Sequence, residues 1–239
     1  MARYGMLIDL NRCIGCKSCA VACQGHHALP PGVFWGWVET DFKQDPASIK
    51  GRRFPKDGPF LPLLCMHCDD PPCLRVCPTG ATFRRDDGLV LIDYERCIGC
   101  RRCLVCPYGA RHFNWVSPQE AFEEAFKKAG YEGLGPEGVP FGDPLEHRVD
   151  GGLIYTPKRS QGVVEKCTFC VEVLDRGLMP VCVRACPANA RAFGDLDDPL
   201  SDIAKRFHQP DTLILLAQEN TRPKVAYKPV TSSRPLKDA

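Results

Sequence analysis

Short apolar runs, each closed by an acidic residue, mark the clearest elements of the chain. Met6-Leu7-Ile8 runs into Asp9, and Leu89-Val90-Leu91-Ile92 runs into Asp93. Both runs are too short for a helix, so residues 4–10 and 88–94 are predicted strands. Val33-Phe-Trp-Gly-Trp-Val38 predicts a further strand with Trp35 and Trp37 on one face, where core packing is the expected role. Ser117-Pro-Gln-Glu120 has the form of a capping box with Pro at the first helical position. It predicts a helix over 118–129, stopped by Gly130. No run reaches the roughly 18 apolar residues of a spanning helix, so no direct membrane span is expected. The first residues show no charged segment followed by a long apolar one, so no signal peptide is expected. Arg52-Arg53 is internal and is not expected to act in export.

Composition changes this picture in one respect. Of 239 residues, 16 are cysteine, while the formal net charge is only +2. That even balance argues against a nucleic-acid partner. The cysteines fall into four fours with none left over. The first is Cys13, Cys16, Cys19 and Cys23. The second is Cys65, Cys68, Cys73 and Cys77. The third is Cys97, Cys100, Cys103 and Cys106. The fourth is Cys167, Cys170, Cys182 and Cys186. Tight runs of thiols on a folded loop suit a cubane cluster, and a fourth cysteine further on suits the other cluster of a pair. That fourth cysteine is expected to open a helix, with the proline after Cys77, Cys106 and Cys186 in its first turn. Zinc is the stronger rival, since four-cysteine zinc sites also use C-x2-C pairs, but these come as two separated pairs. Disulfides need no such runs.

The segment Leu7–Cys16 recurs as Leu91–Cys100 with eight of ten positions identical. A second repeat follows the last cysteines: Cys77-Pro-Thr-Gly-Ala, Cys106-Pro-Tyr-Gly-Ala and Cys186-Pro-Ala-Asn-Ala. Repeats of whole units point to duplicated ferredoxin-like modules, each a short strand, a cluster loop and a short helix.

The ordered cysteines resemble the four-cluster electron-transfer subunits of molybdopterin oxidoreductases of the dimethyl sulfoxide reductase family. The matching stretches are Cys13-Ile-Gly-Cys-Lys-Ser-Cys19, Cys65-Met-His-Cys-Asp-Asp-Pro-Pro-Cys73, Cys97-Ile-Gly-Cys-Arg-Arg-Cys103, Lys166-Cys-Thr-Phe-Cys170, Cys182-Val-Arg-Ala-Cys-Pro187 and Phe193-Gly-Asp-Leu-Asp-Asp-Pro199. The resemblance implies an α+β fold of two ferredoxin-like di-cluster modules with long loops. Module one takes 1–30 and 160–200, and module two takes 60–116. Beside the resemblance, a connecting insertion fills 31–59, a Gly- and Pro-rich arm fills 117–159, read as a docking arm for a partner subunit rather than a plain surface loop, and a C-terminal tail fills 201–239, of which the chain after Thr221 is expected to lack a core and to wrap a neighbour or stay loose. The resemblance implies four [4Fe-4S] clusters as the metal sites. One takes Cys13, Cys16, Cys19 and Cys186, and the next Cys167, Cys170, Cys182 and Cys23. A third takes Cys65, Cys68, Cys73 and Cys106, and the last Cys97, Cys100, Cys103 and Cys77.

The resemblance further implies a non-catalytic electron wire. Its partners are a molybdopterin-containing catalytic subunit near the Cys13 quartet and an integral membrane anchor or other redox partner. It implies peripheral association with a membrane, on the periplasmic face by export with a partner or on the cytoplasmic face. The same wire in a hydrogenase or quinol-oxidising complex, a zinc-stabilised interaction module and a self-sufficient iron–sulfur enzyme are the rival readings.

The third group departs from the family pattern. Only Leu104-Val105 separate its last two cysteines, one residue fewer than expected. On an α-helix that slip turns Cys106 by about 100° and shifts it by about 1.5 Å. Either the turn absorbs the slip, or the ligand is strained or missing, or the recorded sequence lacks a residue.

Three smaller features complete the reading. Gly133-Leu-Gly-Pro-Glu-Gly138 spells a dinucleotide motif in a loop context that does not support one. His26, His27 and His67 are expected to hydrogen-bond locally. Lys17, Arg101, Arg102 and Lys166 flank the cysteines and are expected to tune potential or to be solvated.

Overall fold

In a computed structural model the described residues are 2–39, 60–128, 130, 147–149, 152–155 and 159–230. In chain order the first half comprises β1 (Tyr4–Asp9), α1 (Ser18–His26), β2 (Gly36–Glu39), β3 (Leu61–Leu64), α2 (Pro72–Arg75), β4 (Thr82–Arg84), β5 (Val90–Ile92), a 3-10 turn (Arg102–Val105) and β6 (His112–Phe113). The second half comprises α3 (Pro118–Lys128), β7 (His147–Val149), β8 (Gly152–Tyr155), β9 (Val164–Glu165), α4 (Val171–Leu174), α5 (Val181–Arg184), β10 (Arg191–Asp195), α6 (Asp202–Phe207) and β11 (Val225–Lys228). This is mixed helix and strand, as expected.

β1 is the centre of a three-stranded sheet, antiparallel to β10 and parallel to β11. Its alternation separates two faces. Met6 and Ile8 enter the main core with Val225 and Tyr227, while Leu7 joins Leu196, Ile203, Phe207 and Ala226 under α6. Ser201 caps α6, its Oγ accepting from Ala204 N at 3.1 Å. The main core also takes Cys65, Cys68, Leu89, Leu91, Cys167 and Phe169, so one apolar interior runs through both cysteine-bearing regions.

Four expectations change. The chain after Thr221 is packed through residue 228: Lys224, Val225, Ala226 and Tyr227 are fully buried. β11 pairs with β1, while Lys224 N donates to Met66 O at 2.9 Å and Tyr227 Oη donates to Pro62 O at 2.8 Å. It ties both regions together, which a four-residue strand pairing across some 200 positions does not announce in sequence. The strand at 33–38 begins at Gly36, leaving Trp35 fully buried before it and Trp37 within it. In the arm, 147–149 and 152–155 form an antiparallel hairpin rather than pure loop. That hairpin docks on its own chain: Tyr94 N donates to Leu153 O at 2.9 Å, and Arg148 pairs with Glu95 at 2.7 Å. The helix at Ser117 is as expected to within a residue, with Glu120 N donating to Ser117 Oγ at 3.3 Å. Gly133–Gly138 and Arg52-Arg53 lie outside the described residues.

The fourth change concerns the helices. Each begins one residue before the third cysteine of its group and reaches toward the fourth, rather than opening at the fourth. The prolines at 78, 107 and 187 enter β-turns, not helices. Gly80 N, Gly109 N and Asn189 N donate back to the carbonyls of Cys77, Cys106 and Cys186 at 3.4, 3.1 and 3.2 Å. A proline ring that cannot continue a helix suits the second position of such a turn, and Gly or Asn takes the left-handed position at its end.

Candidate metal centres

The first C-x2-C of each group folds the same way. Its third residue has positive φ in all four: Gly15 at 68°, His67 at 42°, Gly99 at 69° and Phe169 at 56°. At Gly99 a side chain is impossible, because a Cβ would lie 1.9 Å from Gly162 O. His67 and Phe169 hold the same conformation without that freedom, a local strain that packing must offset. Their rings stack on one another at 3.9 Å and 23°. His67 is further fixed by Val90 N donating to Nδ1 at 3.1 Å and by Nε2 lying 3.0 Å from Cys167 O.

These loops and the short helices gather the thiols. One pocket is lined by Cys13, Cys16, Cys19 and Cys186. A second is lined by Cys65, Cys68, Cys73 and Cys106, and a third by Cys77, Cys97, Cys100 and Cys103. Cys23, Cys167, Cys170 and Cys182 lie close enough for their charges to act on one another. Cys106 reaches its cavity because the chain there winds as a 3-10 turn. Three 3-10 residues advance about 6 Å through about 360°. Four α residues, as between Cys19 and Cys23, advance about 6 Å through about 400°. The tighter winding therefore replaces the absent residue.

The donor set fits iron–sulfur clusters. Thiols are soft ligands that bind as thiolates. Here burial, with Cys65 next in effect, pushes Cys68 up to about 12. Burial, with Cys65 and Cys182, does the same to Cys167, and burial, with Cys167 and Cys182, holds Cys23 well above the ordinary range. These thiols give up their protons to a metal centre, not to water. Zinc would draw its four sulfurs to about 3.8 Å from one another, given a Zn–S bond of about 2.3 Å. Among the described residues the one His, Cys, Asp or Glu group gathered closely enough to hold a single ion is His26, His27 and Glu172, which contains no thiol. Arg111 Nε and Thr168 Oγ1 are buried beside the thiols with no hydrogen-bond partner among the described residues, donors that a cluster sulfide would satisfy.

The quartets also have neighbours that sequence reasoning missed. Arg191 is buried and donates through Nη2 to Cys19 Sγ at 3.4 Å and through Nη1 to Cys182 Sγ at 3.9 Å. Arg111 is buried and donates through Nη2 to Cys73 Sγ at 3.1 Å and through Nη1 to Thr82 Oγ1 at 3.0 Å. The signal was available: each arginine stands directly after the Cys-Pro-x-(Gly/Asn)-Ala repeat. Lys166 is not solvated. It is buried with Nζ donating to the carbonyls of Val90 and Cys167. Lys17, Arg101 and Arg102 are exposed, Arg101 lying over the rings of Phe113 and Trp115. The histidines do bond locally: His26 Nε2 lies 2.8 Å from Glu172 Oε1, and His27 Nε2 lies 3.3 Å from Cys170 Sγ.

Loops of this form around paired thiol quartets define a ferredoxin-like iron–sulfur protein. Residues 57–123 with 153–196, and separately 12–81, match two families described as 4Fe-4S dicluster domains. The chain is 40% identical over 235 residues to a provisionally named iron–sulfur subunit of dimethyl sulfoxide reductase from Halobacterium salinarum, covering 95% of this chain and 79% of that one. It is 36% identical to the iron–sulfur subunit ArrB of the arsenate respiratory reductase of a Shewanella species, covering 94% and 95%. It is 38% identical to a subunit of the tetrathionate reductase of Salmonella typhimurium, covering 94% and 72%. The chain belongs to the family of iron–sulfur subunits of dimethyl sulfoxide reductase-type molybdoenzymes. It is an iron–sulfur electron-transfer subunit with four [4Fe-4S] clusters. No described helix is long and apolar enough to cross a membrane.

Proposed function

We propose that the four clusters are held by the quartets Cys13/16/19/186, Cys23/167/170/182, Cys65/68/73/106 and Cys77/97/100/103, in that order along one relay. The observation that carries the order is the chain of neighbours between quartets. Arg191 touches Cys19 and Cys182, linking the first and second. Cys65 acts on Cys167, and His67 meets Phe169, linking the second and third. Arg111 meets Cys73 and Cys103, linking the third and fourth. Each bound cluster supplies a site that takes up and gives back one electron.

The protein's own work is to hold, space and insulate these sites. Cys65, Cys68, Cys73, Cys167 and Cys170 are buried, which keeps the inner quartets from solvent. Cys16 and Cys100 are exposed, and so are Ile14 and Ile98 in the same loops, so the relay opens at its two ends. The Cys13 end faces a molybdopterin-containing catalytic subunit, and the Cys97 end faces a membrane anchor or another redox partner. The protein performs no substrate chemistry itself and associates peripherally with a membrane, on the periplasmic face by export with its partner.

Residues far apart in sequence give the test. Cys13→Ser and Cys186→Ser should remove the same paramagnetic resonance signal, and Cys77→Ser and Cys100→Ser should both remove another. Loss of two different signals within either pair would overturn the quartets.

A further inference from the structure

Arg191 and Arg111 occupy matching places. Each follows a Cys-Pro turn, each is buried, and each stands between the two quartets of its module. The correspondence extends to the atoms met. Arg191 meets Cys19 and Cys182, the third cysteines of the first and fourth groups. Arg111 meets Cys73 and Cys103, the third cysteines of the second and third groups. The remaining repeat, after Cys77, has Thr82 at this place, and its hydroxyl accepts from Arg111. Each module therefore carries one such arginine.

A guanidinium is charged at any working pH and presents a fork able to serve two acceptors at once. Burial works against that charge, and the hydrogen bonds to Cys19 and Cys182 at Arg191, and to Cys73 and Thr82 at Arg111, hold it in place. No carboxylate bonds to either side chain among the described hydrogen bonds. Their charge is thus directed at the thiolates. In a low dielectric, a cation this close favours the more negative, reduced form of each neighbouring cluster.

We infer that Arg191 and Arg111 are positioning residues that set potential, each raising both cluster potentials of its own module together. This rests on the quartets proposed above. The geometry makes it specific, because a solvated lysine such as Lys17 faces one quartet only and is screened by water.

The test is a potentiometric titration of the intact four-cluster protein followed by paramagnetic resonance. Signals are assigned by their loss in Cys16→Ser, Cys170→Ser, Cys68→Ser and Cys100→Ser. Arg191→Gln should leave about 16 irons per chain. It should lower both module-one reduction constants at least tenfold, about 59 mV for one electron, with module two unmoved. Arg191→Lys, which keeps the charge, should recover most of the fall. Arg111→Gln gives the mirror result in module two, and it decides the matter should the Arg191 variant fail to fold. Full iron with unmoved potentials, or a shift in one cluster alone, would overturn the inference and leave the quartets standing. Signals lost in pairs that cut across the quartets would overturn the quartets themselves.

Discussion

Two kinds of junction separate the quartets. Inside each module the junction is a buried cation, Arg191 in one and Arg111 in the other. Between the modules it is the stacked pair His67 and Phe169. Burial, with Lys166 and Lys224 adding to it, holds His67 well below its ordinary pKa, so that junction carries a neutral ring. The cations responsible are themselves engaged elsewhere, Lys166 on carbonyls and Lys224 on Asp69 and Gly88 O. On the proposed relay, a cation stands between the two quartets of each module, and a stacked neutral pair stands between the modules, with Lys166 and the Arg85–Asp175 ion pair beside it.

Breaking that contrast at a ligand has the largest expected effect. Cys167→Ser at the inner junction should drop iron from about 16 to about 12 per chain, or leave a three-iron signal on oxidation. Metal analysis after anaerobic purification checks it. Emptying the packing comes next. Phe169 is 1% exposed, so Phe169→Ala should cost about 3–5 kcal/mol in stability. Thermal denaturation reads the loss, and the potentials of the two modules should stay apart from it, unlike those of the arginine variants. A smaller effect belongs to Arg85, which reaches from the β4–β5 turn to Asp175 at 2.6 Å across the same junction. Arg85→Ala should cost about 1 kcal/mol or less, and the cost should shrink at high salt. The smallest expected effect sharpens the account of the 3-10 turn. One alanine inserted between Leu104 and Val105 lets that turn wind as an α-helix with nearly the same advance, so iron content should be unchanged. Loss of about four irons would show that the short spacing is required.

Legibility in the sequence followed physical range. Cysteine spacing is a local property, and the resemblance built on it carried the class, the cofactor and the family. The helix at Ser117 was likewise local, since a cap and a proline define it. The C-terminal strand was not, because Val225–Lys228 gains its place only by pairing with β1 and by Lys224 reaching Asp69. Lys166 and Lys224 were unreadable for a related reason: a lysine is expected in water until the carbonyls that hold it are known. The sequence places Arg111 and Arg191 one step beyond a repeat that was recognised, but their role needs the two thiols that folding brings to each. Cys106 shows the reverse case. Its spacing is one residue shorter than the family pattern, and the backbone winding shows how the residue reaches its cavity.

The most direct test of the account is iron, acid-labile sulfide and zinc per chain on anaerobically purified protein, with the low-temperature paramagnetic resonance spectrum of the reduced form. The account predicts about 16 irons, about 16 sulfides, no stoichiometric zinc and four interacting cubane signals. About four zincs with little iron would contradict it and leave an interaction module in place of a relay.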